Sequence, residues 1–73
     1  MGNFNVIIKY VKIFLKDLRE SKFLTQRELA EKSGVGVATI ARVEKGIRQP
    51  TFRTIKRLAA ALGVEPADLA KRE

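Results

Sequence analysis

Apolar residues recur at helical spacing from the start of the chain: Phe4, Ile7, Ile8, Val11, Phe14, Leu15 and Leu18, with Lys9, Lys12 and Lys16 on another face. This pattern predicts a first helix from about Asn5 to Glu20. Val6, Tyr10 and Ile13 form a second apolar stripe about a third of a turn away, more than one helix of a small domain needs to bury. The alternation of Phe4, Val6, Ile8 and Tyr10 also fits an extended arm, so an N-terminal extension over residues 1–10 is set apart, as a lengthened first helix or an arm.

The remaining elements are marked by their end signals. Thr25 followed three residues later by Glu28 is a capping box, opening a helix from Gln26 to Lys32. Gly34 frees the backbone for a tight turn, and Gly36 stands at the next N-cap before a helix from Val37 to Lys45. Gly46 stops it, Pro50 holds the lead-in extended, and Thr51 caps a fourth helix that runs to Leu62 and Gly63. Pro66 sits in the first turn of a fifth helix, Glu65 to Lys71. The reading is all-α, with no strand required, no repeat and no low-complexity linker.

At 73 residues the chain has room for one modest core and hence one domain, residues 1–73. It contains neither cysteine nor histidine, so disulfides, thiolate metal sites and the commonest general base are absent. No phosphate-binding glycine loop and no carboxylate pair stands in for them, and Glu28 and Glu31 read as helix-surface charges. No catalytic residue, metal or cofactor is therefore expected, and the chain is not expected to be an enzyme. Lysines interrupt the apolar N-terminal stretch every few residues, which argues against a signal peptide or membrane span and for a cytoplasmic protein. An amphipathic helix lying on a membrane surface is the weaker use of that stretch, because a core role accounts for the same face.

Charge changes the picture more than composition does. The net charge is +7, and residues 32–57 alone carry Lys32, Arg42, Lys45, Arg48, Arg53, Lys56 and Arg57 against the single acid Glu44, a net +6. A scattered excess would be a solvated face; concentrated at turns and helix ends, it points to a polyanion. The unit 26–45 has two short helices about a glycine turn. Leu29, Val35, Ile40 and Val43 are its apolar positions, and the small Ala30 lies where the helices cross.

The run LTQRELAEKSGVGVATIARVEKGIRQPTFRTIKRLAAALGV, residues 24–64, resembles the Xre family of helix-turn-helix domains, which includes the phage lambda-type repressors and Cro. The joint occurrence of TQRELA, SGV, TIARVEKG, the proline loop and LAAALGV carries the resemblance. It implies a compact five-helix bundle that binds operator DNA, usually as a symmetric dimer, and a sequence-specific transcriptional regulator, with repression the expected mode. It also implies that Gln26 touches a phosphate, that Val37, Ala38, Thr39 and Arg42 face the major groove, and that Arg19 and Glu44 form a partly buried ion pair. Two positions depart from the pattern: Gly36 is commonly Ser or Thr in the family, and Phe23 occupies a turn position that is often Gly.

Physical chemistry supports these roles. Short side chains at Val37 and Ala38 let a helix approach base edges, with methyl groups suited to thymine, while Arg42 can bond guanine O6 and N7 together. Thr39 can bond a base or phosphate, or fill the helix contact. Lys45, Arg48 and Arg53, around the following loop, are assigned to phosphates, with Lys56 and Arg57 left open between the duplex and solvent. The partners expected are double-stranded DNA and a second copy of the chain. The surplus apolar residues Val6, Tyr10 and Ile13 are the expected dimer contact, and the fifth helix, with Val64 just before it and Leu69 within it, the competing one. The same fold also serves antitoxins, so a protein partner is the alternative use of that surface.

Overall fold

The computed structural model describes residues 11–72. In chain order they form β1 (Val11–Ile13), α1 (Leu15–Ser21), α2 (Gln26–Ser33), α3 (Val37–Glu44), α4 (Phe52–Leu62), α5 (Pro66–Leu69) and β2 (Ala70–Arg72). The five helices predicted from the pattern are all present, and α2, α3 and α4 fall within a residue of their expected ends.

Both ends of the described chain correct the reading. The first helix does not run from Asn5 to Glu20: residues 11–13 are extended, and the helix begins at Leu15. The fifth helix stops at Leu69 instead of reaching Lys71, and the expectation that no strand is required fails as well. β1 and β2 pair antiparallel, with Val11 opposite Arg72, Lys12 opposite Lys71 and Ile13 opposite Ala70. The Phe14 amide extends this contact by donating to the Leu69 carbonyl at 2.8 Å. β-Branched Val11 and Ile13 favour extended backbone, and the meeting of the two chain ends gives each a ladder partner that a helix would have had to supply internally.

Local chemistry fixes the other boundaries. The Glu28 amide donates to Thr25 Oγ1 at 3.0 Å and the Thr25 amide to Glu28 Oε1 at 2.8 Å, completing the capping box of α2. Thr51 Oγ1 accepts from the Thr54 amide at 3.1 Å and caps α4. At the end of α1, the Leu24 amide reaches back to the Arg19 carbonyl and the Phe23 amide to that of Glu20, which places Phe23 at φ +57. The same paired bonds end α4, with Gly63 at φ +71.

The core is Leu15, Leu29, Val35, Ile40, Val43, Leu58, Ala59, Leu62 and Leu69, so α1 to α5 each contribute to it. Ala30 is half-buried against this cluster. Ile13 and Val64 also pack on it. α3 is thus pinned from behind at Ile40 and Val43, and its opposite face is left outward.

Candidate nucleic-acid interface

At 100° per residue, Ala38, Arg42 and Lys45 fall within a 60° arc of α3, and all three are exposed. Val37, at the N-terminal edge of this surface, is 45% exposed despite being apolar. Thr39 is half-buried on the flank. The structure therefore brings Val37, Ala38 and Arg42 to one open surface and sets Thr39 at its margin. Gly36, the N-cap, supplies no side-chain bond, but a Cβ there would come no closer than 3.9 Å to Thr39 Oγ1.

The orientation of α3 rests on a nearly enclosed polar cluster. Arg19 Nε donates to Glu44 Oε2 at 2.6 Å and its Nη2 to Oε1 at 3.0 Å, a two-pronged pair, while its Nη1 donates to the Leu24 carbonyl at 2.7 Å. The two side chains are 11% and 4% exposed. Burial by itself pushes the Glu44 carboxyl up, but the hydrogen bonds from Arg19 and Gln26 outweigh it and hold the group below its ordinary range. The hydrogen bond to Glu44 in turn raises Arg19. Among the described residues no buried side-chain polar atom lacks a partner.

Gln26 has a role that the sequence reading missed. Its Nε2 donates to Glu44 Oε1 at 3.0 Å, so the first residue of α2 is tied to the last residue of α3. The spacing of residues 26 and 44 carried no sign of this bond, because it depends on how the two helices cross. The side chain remains half-buried beside the surface where a phosphate contact was expected.

Lys45, Arg48 and Arg53 are exposed around the α3–α4 connection, and among the described residues the one ion pair is that of Arg19 with Glu44. Among the described residues no carboxylate pairs with them. Of the surplus apolar residues, Val6 and Tyr10 lie outside the described residues. Ile13 packs on the core from extended backbone, so the helical stripe that grouped the three is broken there.

A helix-turn-helix family model (HTH_3) matches residues 15–69. The chain is 40% identical over 55 residues to the cryptic phage CTXphi transcriptional repressor RstR of Vibrio cholerae, a match covering 75% of this chain and 50% of that protein. It is 49% identical over 51 residues to the HTH-type transcriptional repressor RghR of Bacillus subtilis, covering 68% and 38%. It thus spans half or less of the length of these relatives. Among solved structures, the restriction-modification controller protein C.AhdI from Aeromonas hydrophila superposes with a TM-score of 0.72 at 39% identity, covering 74% of this chain and 82% of that one.

The fold and the outward face of α3 define a helix-turn-helix domain. The chain belongs to the HTH_3 helix-turn-helix family, the Xre-like group. Among the described residues no helix is long and apolar enough to cross a membrane.

Proposed function

We propose that this domain binds double-stranded DNA in a sequence-dependent way as a transcriptional repressor, working in the cytoplasm without chemistry of its own. α3 enters the major groove. The observation that carries the reading is the two-sidedness of this short helix: Ile40 and Val43 are sealed in the core, Glu44 is locked to Arg19, and Val37, Ala38 and Arg42 stand open beside unpaired cations. A surface charge needs no such scaffold, whereas base reading needs a rigid element presented at a fixed angle.

In this reading Arg42, with Val37, Ala38 and Thr39, reads bases, while Lys45, Arg48, Arg53 and the outward part of Gln26 hold phosphates. The test is binding to a selected operator and to random duplex at several salt concentrations. With about four to six phosphates engaged, log K falls against log salt with a slope of about −4 to −5. Arg42→Ala costs about 1–3 kcal/mol on the operator and relaxes preference at one base pair per half-site, whereas Arg48→Ala weakens both duplexes alike. A flat salt dependence would remove DNA as the ligand. Equal losses on both duplexes for Arg42→Ala would remove that residue as a base reader.

A further inference from the structure

The first turn of α4 carries an aromatic residue that the core does not use. Leu58, Ala59 and Leu62 bury that helix, with Ile55 packed beside them, while Phe52 is 71% exposed. The Lys56 ammonium stands over the Phe52 ring, 5.6 Å from its centroid. Residues 45–57 contain Lys45, Arg48, Arg53, Lys56 and Arg57 and no acid, so no nearby carboxylate in the sequence competes for that ammonium.

We propose that Lys56 is a further phosphate-contacting residue and that Phe52 positions it, while Arg57 stays off the duplex. The inference rests on the DNA-binding reading and deepens it. Helical side chains lean toward the N-terminus of their helix, and the ring holds Lys56 in that direction, toward the connection that carries Arg48 and leads back to α3. The aromatic face occupies one side of the ammonium, and among the described residues no carboxylate pairs with it. Arg57 lies about 100° further round α4 than Lys56 and about 140° from Phe52, so the ring that directs Lys56 does not direct it. A nucleic-acid backbone alternates an apolar sugar with an anionic phosphate. A ring and an ammonium one turn apart match that alternation, the ring lying against the sugar and the ammonium against the phosphate.

The experiment is random-duplex binding across a salt series for the wild type, Lys56→Ala, Arg57→Ala, Phe52→Ala and Phe52→Tyr. All three positions are exposed, so the variants keep the fold, which circular dichroism checks. Lys56→Ala is expected to make the salt slope shallower by about one and to weaken binding roughly tenfold at 0.1 M salt, the contribution of one phosphate. Arg57→Ala is expected to leave the slope unchanged. Phe52→Ala weakens binding roughly two- to fivefold, the fold-change that corresponds to an exposed cation–π contact, and Phe52→Tyr, which keeps the aromatic face, restores it. A wild type with a steep slope that Lys56→Ala leaves intact, or that Arg57→Ala reduces equally, overturns this inference and spares the DNA reading. A wild type with no salt-dependent binding overturns both.

Discussion

Phe23 ends α1 at φ +57 and Gly63 ends α4 at φ +71, through the same pair of backbone bonds, so one conformation is borne by two very different side chains. For an L-residue the left-handed region costs about 1–2 kcal/mol, and only glycine escapes that cost. Phe23 is 93% exposed and recovers nothing by burial. Phe23→Gly is therefore expected to stabilise the domain by about 0.5–1 kcal/mol, the relief of strain less the extra freedom that glycine gives the unfolded chain. In the opposite direction, a Cβ at Gly63 would meet nothing within 4 Å, so Gly63→Ala is expected to lose about 1 kcal/mol through torsion alone. Urea midpoints for the two variants check both signs. A destabilised Phe23→Gly would mean that the ring makes a stabilising contact despite its exposure.

Between elements, the cluster of Arg19, Glu44 and Gln26 joins α1, α2 and α3, and its strength depends on the charge of one carboxyl. Removing one partner strands the other inside the protein, so Glu44→Ala is expected to cost about 3–5 kcal/mol in chemical denaturation. The folded Glu44 titrates below its unfolded value, which sets the sign of the pH effect. Its stabilisation is complete above the unfolded carboxyl pKa of about 4.3 and is lost as pH falls through the lower, folded value. Glu28, which accepts from the Thr25 backbone and hydroxyl, shifts in the same direction. Glu44→Gln is thus expected to flatten the acid limb of a stability–pH curve, and an unchanged limb would argue that the pair is not intact in solution. The Arg19–Glu44 pairing was legible only through the family resemblance, and the Gln26 bond was not legible at all. Helix ends were readable because Thr25, Gly34, Thr51 and Gly63 act on their own neighbours. The β1–β2 pairing was not, because it joins opposite ends of the described chain, and over residues 11–18 the apolar spacing fits one continuous helix as well as the strand and helix start that form.

Across the whole domain, the outward face of α3 and the unpaired cations around it make one surface, but a single short helix addresses only a few base pairs. Two copies spaced by roughly 34 Å, one turn of the duplex, would double that address, which is the physical case for a homodimer. The contact has to come from apolar surface that the core does not use. Leu69 of α5 is 0% exposed and Val64, just before that helix, packs on the core, so neither apolar side chain is left to pair. Ile13 is likewise engaged, and Ile13→Glu would test core packing as much as association. Tyr10, outside the described residues, is the other expected contact to substitute: Tyr10→Glu is expected to shift sedimentation equilibrium of the free protein toward monomer and to weaken operator binding more than binding to an isolated half-site. Wild type that stays monomeric at high micromolar concentration, both alone and on a palindromic duplex, would rule out the dimer. A dimer untouched by Tyr10→Glu would keep the symmetry and move the contact to another exposed surface, with Phe23 and Ile47, 93% and 71% exposed, the next apolar positions to substitute.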